Sequence, residues 1–278
     1  MKHFTAADGA RIAFEDEGEG RPLLLLHGLM AHQGFFESQR ELARDFRLIR
    51  LDLRGHGESR ANGTAPTVEM LADDVARLAE HLQIEDAVAV GWSLGASVLW
   101  RLLAGPAGHR FAGAVVIDMT PRVLNEGEWT LGLSRDVVEG RAQAIRDDFA
   151  SFAQSAGAAI FAQPVDAERQ KLADWAGAEF ARTDPKAIEA LWGSLAEEDL
   201  RPLLSRIEQP TLIVHGIQSH LYGADTADHL VGALPNARAV AFHRSGHAPH
   251  MEQPELFNRT LKAFAASLPP VLQPQTTA

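Results

Sequence analysis

The sequence predicts an α/β protein, in which a mostly parallel, doubly wound sheet is interrupted by a helical insertion. Short apolar runs alternate with helical patterns through the first 118 residues, which is typical of parallel strands joined by crossover helices. Between about residues 121 and 202 the strand signal disappears, and it returns afterwards. We therefore expect an α/β core over 1–120 and 203–268, a helical cap over 121–202, and a loose tail over 269–278.

The strands are predicted in order along the chain. Residues 2–16 favour two strands around the turn signal Asp8–Gly9, which would give the sheet an antiparallel edge. Continuous apolar runs follow that suit strands buried on both faces, at 23–26, 48–51, 87–90 and 114–117. Strand character returns after the insertion, at 211–214 and 238–242.

Two helices of the core are also predicted. Apolar residues recur at helical spacing from Val68 to Leu82, behind a Thr67 hydroxyl suited to cap a helix N-terminus. A last helix is expected over 255–268. The cap region is rich in aromatic residues: Trp129, Phe149, Phe152, Phe161, Trp175, Phe180 and Trp192. Trp129 is the least periodic of them, so we expect it to shape an apolar pocket.

Composition and charge exclude several classes of protein. Of 278 residues, 46% are hydrophobic and 23% charged, as in ordinary globular chains. The net charge of −11 repels phosphate backbones and anionic lipids, so we expect no nucleic-acid partner and no membrane insertion. The absence of cysteine excludes disulfides and thiol nucleophiles. Without a signal sequence or a long apolar run, we expect a cytoplasmic protein that acts on a small molecule.

The first candidate catalytic residue is Ser93. The sequence Gly-Trp-Ser-Leu-Gly at 91–95 directly follows a predicted strand and opens a helical stretch. This order is the context of a nucleophile elbow, which holds a serine hydroxyl exposed at a helix N-terminus. The alternative is a glycine-rich turn in which Ser93 only caps the helix.

A serine hydroxyl is a poor nucleophile unless a base accepts its proton. His247 follows the predicted strand at 238–242 and precedes the last helix, which makes it the candidate base. His243 and His250 lie nearby, so solvated loop histidines and a metal-binding cluster are alternatives. No carboxylate ligand pattern accompanies these histidines.

Taken together, these motifs resemble the α/β-hydrolase superfamily, in its cap-bearing, lipase- and esterase-like branch. The resemblance covers nearly the whole chain and rests on four motifs in the order typical of that superfamily: His27–Gly28, Asp-Leu-Arg-Gly-His-Gly-Glu-Ser at 52–59, the segment 91–95, and the segment 245–255. It implies an α/β-hydrolase fold in which Ser93 is the nucleophile and His247 the base, and it requires no cofactor. It also implies an oxyanion hole formed by the backbone N–H groups of Leu29 and Leu94.

The acid of the triad departs from the usual pattern of that superfamily. Relatives typically carry Gly-x-x-Asp after the penultimate strand, and Ser219 stands at that position here. The superfamily has an alternative in which the acid follows the strand after the nucleophile helix, where Asp118 stands. We therefore predict that Asp118 orients His247, with Asp225 and Asp228 as alternatives.

The predicted function is hydrolysis of a carboxylic ester, thioester or lactone of a small, largely apolar substrate through an acyl-enzyme. Trp92 and Trp129 are the expected substrate contacts. A cofactor-free dioxygenase, a C–C bond hydrolase and an acyltransferase are alternatives on the same fold, and a non-catalytic binding protein is an alternative of another class.

The segment 91–95 is also similar to that of pimeloyl carrier-protein methyl ester esterases. An acidic carrier protein would need a basic patch on the cap of this chain. The basic residues of the cap are interspersed with acids and are interpreted as solvated helix faces: Arg122, Arg135, Arg141, Arg146, Arg169, Lys171 and Arg182.

Overall fold

A computed structural model describes residues 1–269, apart from the side chain of Glu168. From residue 270 onward, the predicted tail over 269–278 lies outside the described residues. The described chain forms one eight-stranded sheet in the order β1-β2-β4-β3-β5-β6-β7-β8. Its strands are β1 (Lys2–Thr5), β2 (Arg11–Glu17), β3 (Pro22–Leu26), β4 (Arg47–Leu51), β5 (Ala87–Trp92), β6 (Phe111–Ile117), β7 (Thr211–Gly216) and β8 (Ala237–Phe242).

The sheet is antiparallel at one edge and parallel elsewhere. β2 pairs antiparallel with β1 and with β4, whereas the neighbouring pairs from β4 to β8 are parallel. All residues of β3, β5, β6 and β7 are buried, as their continuous apolar composition requires. The predicted fold class, a mostly parallel α/β sheet, is confirmed.

Helices connect the strands and fill the long segment between β6 and β7. They are α1 (Val68–His81), α2 (Leu94–Ala104), α3 (Arg135–Asp147), α4 (Phe149–Ala159), α5 (Ala167–Phe180), α6 (Pro185–Glu197), α7 (Arg201–Leu204), α8 (Ala224–Ala233), α9 (Pro249–Glu252) and α10 (Pro254–Ser267). Segments Gln33–Arg44 and Pro106–Arg110 are 3₁₀-helical. Thr67 caps α1 as expected, because its hydroxyl accepts a hydrogen bond from the Met70 N–H. Within residues 1–269, no helix has both the length and the apolar character needed to cross a membrane.

Helices α3 to α6 pack on one another and on the core through aromatic side chains. The Trp192 indole of α6 donates a hydrogen bond of 3.0 Å to the Val138 carbonyl of α3. Phe180 of α5 stacks on Phe35 of the core, with ring centroids 5.2 Å apart. These contacts hold the helices above the carboxyl ends of the strands, where open α/β sheets collect functional groups.

The helix after β5 crosses β3 so closely that its first turn requires glycine. A Cβ atom on Gly95 would overlap the Leu26 carbonyl oxygen, and one on Gly91 would lie 2.5 Å from the Gly95 carbonyl oxygen. Both glycines therefore allow the tight turn from β5 into α2, with Ser93 between them.

We expect Gly95→Ala to lower the free energy of unfolding by about 1–3 kcal/mol, because the added methyl group has no room. Gly140 provides the matched control, since it also lies within a helix but a Cβ atom there meets nothing within 4 Å. Gly140→Ala should leave stability unchanged or raise it by up to about 1 kcal/mol. Urea unfolding of both variants measures the difference, and equal stabilities would contradict the close approach of α2 to β3.

Candidate active site

Ser93 occupies a strained turn between β5 and α2. Its φ of 53° and ψ of −119° lie where non-glycine residues rarely occur, at a cost of about 1–3 kcal/mol. Two backbone hydrogen bonds hold the turn: the Ser93 N–H donates to the Ile117 carbonyl at 3.1 Å, and the Ala96 N–H donates to the Ser93 carbonyl at 2.8 Å. The turn brings the serine side chain into a cavity above the sheet.

That cavity has a volume of about 240 Å³ and contains both Ser93 and His247 in its lining. Leu29 and Trp92, two of the predicted site residues, also line it. Most of the remaining wall is apolar: Met30 comes from the loop after β3, and the cap contributes Phe152, Ile160, Phe180, Trp192 and Leu195. Such a wall suits a small, apolar acyl or alcohol group.

His247 is held by the carboxylate of Asp118. The His247 Nδ1–H donates a hydrogen bond of 2.6 Å to Asp118 Oδ2, and both side chains are almost fully buried. Because Nδ1 carries the proton in this contact, Nε2 keeps the lone pair that a general base needs. In the described chain no hydrogen bond joins Ser93 Oγ to His247, and such contacts often tighten only when substrate binds.

Ser219 supports Asp118 from the position at which relatives of the superfamily usually carry the acid. Its hydroxyl donates a hydrogen bond of 2.7 Å to Asp118 Oδ2 and accepts one of 3.3 Å from the Leu221 N–H. Asp225 and Asp228 lie exposed on α8, and neither contacts His247. The structure thus brings Asp118, rather than either alternative carboxylate, to the imidazole.

The two predicted oxyanion donors, Leu29 and Leu94, follow the carboxyl ends of the adjacent parallel strands β3 and β5. Leu94 is the first residue of α2, so its N–H has no acceptor within the helix. The Leu29 N–H has no hydrogen-bond acceptor within residues 1–269. Next to it, Met30 adopts a positive φ of 64°, and its N–H donates to His56 Nε2 at 3.1 Å. The hydrogen bond of Met30 to His56 therefore holds the loop next to Leu29, while the Leu29 N–H has no acceptor in the described chain.

His27, part of the first of the four motifs, bridges two loops as a neutral side chain. Its Nδ1–H donates to the Gly28 carbonyl at 2.8 Å, and its Nε2 accepts from the Leu53 N–H at 2.9 Å. Burial lowers the pKa of His27 to about 3, and burial lowers the pKa of His56 to about 3 as well. Both imidazoles remain neutral near pH 7, as their accepting nitrogens require.

A buried glutamate joins the loop of His247 to the cap. The fully buried Glu252 carboxylate accepts hydrogen bonds from the Gly246 N–H at 2.7 Å and the Ala162 N–H at 2.8 Å. The His247 N–H in turn donates to the Ile160 carbonyl at 2.9 Å. Burial raises the pKa of Glu252, while these two N–H donors and Arg169 oppose that rise. Glu252 belongs to the 245–255 motif, but the sequence alone assigned it no role.

Trp92 supports the histidine loop in addition to lining the cavity. Its indole N–H donates to the His247 carbonyl at 2.8 Å. The His250 ring packs 4.8 Å from the rings of both Trp92 and Phe36, and neither of its nitrogens has a hydrogen-bond partner in the described chain. His243 is exposed. Within the described residues, no group of three or more His, Asp or Glu side chains is arranged to hold a metal ion.

The expectation that Trp129 shapes the pocket is wrong. Trp129 is absent from the lining of the cavity that contains Ser93. Its indole N–H donates to the Arg122 carbonyl at 2.9 Å, and its ring packs against His229 and under the Arg201 guanidinium. These partners bury the ring away from that cavity. Trp129 lies in the loop before α3, which explains its lack of helical periodicity.

Two residues that the sequence did not single out for the site also line the cavity. Tyr222, the one tyrosine of the sequence, lies with its ring centroid 6.0 Å from that of His247. Arg141 was interpreted as part of a solvated helix face, whereas the structure places it in the cavity wall. Arg141 stands three residues after Val138 and four before Ile145, the buried residues of α3, so helical spacing is the one signal that places it on the buried face of that helix.

The fold and the site define an α/β hydrolase, and residues 21–254 match the family model described as the alpha/beta hydrolase fold. The chain belongs to this family. It is 31% identical over 256 residues to a pimeloyl-[acyl-carrier protein] methyl ester esterase of Nitrosomonas europaea, covering 89% of this chain and 97% of the relative.

A non-heme haloperoxidase of Rhodococcus erythropolis is 29% identical over 275 residues, covering 96% of this chain and 100% of the relative. Among solved structures, an esterase from Exiguobacterium antarcticum superposes with a TM-score of 0.90 at 25% identity, covering 95% of this chain and 99% of that one. The relatives of this chain therefore include esterases of the alpha/beta hydrolase family.

The buried His250 predicts a loss of stability in acid. Burial lowers the pKa of His250 from 6.5 to about 3, so below pH 6.5 the unfolded chain binds a proton that the folded chain does not. Below pH 6.5, this group should lower the free energy of unfolding by about 1 kcal/mol for each unit by which the pH decreases. We expect His250→Phe, which keeps the ring packing, to lose roughly 1–2 kcal/mol less than wild type between pH 6.5 and pH 5.

Urea unfolding at several pH values measures this difference. His243→Gln is the control, because His243 is exposed and its replacement should leave the pH profile of stability unchanged. If wild type and His250→Phe lost stability in parallel, the neutral buried state of His250 would be wrong.

Proposed function

We propose that this protein is a serine hydrolase that cleaves a carboxylic ester, thioester or lactone of a small, largely apolar substrate through an acyl-enzyme. The observation that carries the proposal is the shared cavity of Ser93 and His247, together with the 2.6 Å hydrogen bond from His247 Nδ1 to Asp118. Relatives named as esterases support the same class of reaction.

In the first step, Ser93 Oγ attacks the substrate carbonyl carbon while His247 Nε2 takes the hydroxyl proton. The carbonyl π electrons move to oxygen, and the N–H groups of Leu29 and Leu94 stabilise the resulting oxyanion. The Asp118 carboxylate stabilises the imidazolium and holds its tautomer.

The tetrahedral intermediate then collapses, and the bond to the leaving alcohol or thiol breaks. The leaving group takes the proton from His247 Nε2, and the acyl group stays on Ser93 Oγ. A water molecule next attacks the acyl-enzyme and gives its proton to His247. The acid product leaves, and Ser93 recovers its proton.

The cap favours a free small molecule over a carrier-bound substrate. An acidic carrier protein would require a basic surface, but the exposed cap arginines each have a carboxylate partner. These pairs are Arg135 with Glu139, Arg146 with Glu189, and Arg182 with Glu179. We therefore place the substrate inside the cavity of about 240 Å³ without a protein attached.

A panel of activated esters and thioesters of graded chain length tests the reaction. Wild type should hydrolyse short or medium chains without added metal and form an acyl adduct on Ser93, detected by mass spectrometry. Ser93→Ala should lower turnover by about 10⁴-fold or more. Ser97→Ala is the matched control, because Ser97 is a buried serine of the same helix outside the cavity lining.

Two results would contradict this mechanism: full activity in Ser93→Ala, or loss of wild-type activity on chelation. Transfer of the acyl group to an added alcohol in preference to water would instead support the acyltransferase alternative.

The acid assignment is tested with three substitutions on one good ester. Asp118→Asn should lower turnover by about 10⁴-fold, the size of effect found for the comparable aspartate in a serine protease. Asp225→Asn and Asp228→Asn should stay within a few-fold of wild type, because both carboxylates are exposed on α8. Circular dichroism checks folding. Collapse of Asp225→Asn with an active Asp118→Asn would move the acid to the later loop.

A further inference from the structure

Arg141 stands apart from the other arginines of the cap. Within residues 1–269, its guanidinium has no hydrogen bond and no carboxylate partner, although it lines the cavity of Ser93. Every other arginine between residues 121 and 202 pairs with a carboxylate of the described chain: Arg122 with Asp199, Arg135 with Glu139, Arg146 with Glu189, Arg169 with Glu252, Arg182 with Glu179, and Arg201 with Asp199.

An unpaired guanidinium in an apolar wall is costly, because a charge removed from water needs a compensating partner. Burial lowers the pKa of Arg141, which is the direction expected when the charged form is desolvated. The guanidinium lies over the Trp192 ring, 5.6 Å from its centroid. This contact stabilises the cation through one face and leaves its N–H groups unpaired.

Arg141 lines the same cavity as the proposed nucleophile Ser93 and the proposed base His247. Tyr222 lies beside His247, with their ring centroids 6.0 Å apart, and it lines the same cavity as Arg141. Ser93, His247, Tyr222 and Arg141 thus belong to one cavity whose remaining wall is mostly apolar. A molecule that fills it meets the nucleophile at one point and a fixed cation at another.

We propose that Arg141 is an anion-binding subsite, and that the ester cleaved at Ser93 carries a carboxylate that the Arg141 guanidinium binds. The planar guanidinium matches a carboxylate bidentately, and the volume of about 240 Å³ limits the substrate to a short chain between the two groups. This inference rests on the proposed function for its reaction, but the subsite itself can be tested without catalysis.

The kinetic test compares monomethyl and dimethyl esters of the same dicarboxylic acids, from succinate to suberate. Wild type should show a higher kcat/KM for the charged half-ester at one or more lengths, by about 10- to 100-fold. Arg141→Gln should bring that ratio close to 1, and Arg141→Lys should restore part of it. Arg146→Gln is the matched control on the same helix, because Arg146 is exposed and paired with Glu189.

A second arm distinguishes the side of the ester that bears the carboxylate. Acetyl esters of short ω-hydroxy acids carry it on the alcohol part, whereas the half-esters carry it on the acyl part. If the preference for the charged ester depends on Arg141 with the half-esters, the subsite binds the acyl part. If it depends on Arg141 with the acetyl esters, the subsite binds the alcohol part. An absence of charge preference in both arms would overturn the inference.

Binding measurements separate failure of the subsite from failure of the reaction. Calorimetric titration with glutarate and adipate should show binding to wild type that weakens about 10-fold or more in Arg141→Gln, with hexane-1,6-diol as the neutral control. Equal dicarboxylate binding by the two proteins would overturn the subsite even if neutral esters were hydrolysed. Arg141-dependent binding without hydrolysis of any ester would support the subsite and contradict the proposed reaction.

Discussion

The register of β5, β6 and β7 is the constraint on which the site depends. Trp92 pairs with Ile117 at the ends of β5 and β6, and the ladder continues one residue further, because the Ser93 N–H donates to Ile117 and the Asp118 N–H to Val214. Ser93 and Asp118 both have a positive φ, of 53° and 45°. Two adjacent strands thus end in strained residues, and the sheet ladder holds both of them in place.

A shift of one residue in that register would turn each side chain to the other face of the sheet. The contact between Asp118 and His247 would then be lost, since the histidine approaches from the loop after β8. Ser219 adds a second restraint on the same carboxylate oxygen. The geometry of the acid therefore follows from backbone pairing, and the side-chain hydrogen bonds complete it.

The cap and the histidine loop form one unit. The Glu252 carboxylate accepts hydrogen bonds from the Ala162 N–H of the cap and the Gly246 N–H of the histidine loop. The His247 N–H also donates a hydrogen bond to the Ile160 carbonyl of the cap. Ile160 is also part of the cavity wall. The cavity wall and the proposed base thus share backbone hydrogen bonds, so a displacement of this part of the cap would also displace His247.

Much of the fold could be predicted from the sequence, because its signals are local. The apolar runs at 87–90 and 114–117 lie within observed strands, and Thr67 caps α1. Ser93 and His247 could be predicted as site residues because each follows a predicted strand, at 87–90 and at 238–242, within a recognisable motif. The elements adjoining the sheet were therefore accessible to sequence reasoning.

The cap was less accessible, because helical periodicity does not indicate which tertiary partner a side chain meets. Trp129 and Arg141 illustrate the two errors. The Trp129 indole contacts the Arg122 carbonyl and the Arg201 guanidinium outside the cavity. Arg141 lines the cavity and has no carboxylate partner in the described chain. The position of Trp129 depends on contacts with α7 and α8, and that of Arg141 on the packing of α3 against α6. Neither set of partners lies within a short window of sequence.

Environment also distinguishes the proposed base from the other buried histidines. In the described chain, His27, His56 and His250 are buried and form no hydrogen bond with a carboxylate, and burial lowers the pKa of each of them to about 3. They serve as neutral groups that fix loops or fill space. His247 is also buried, but it has the Asp118 carboxylate at Nδ1. Of these four histidines, His247 alone donates a hydrogen bond to a carboxylate in the described chain, and that negative charge balances a proton arriving at its Nε2. The proton transfer of the proposed reaction is therefore assigned to this imidazole.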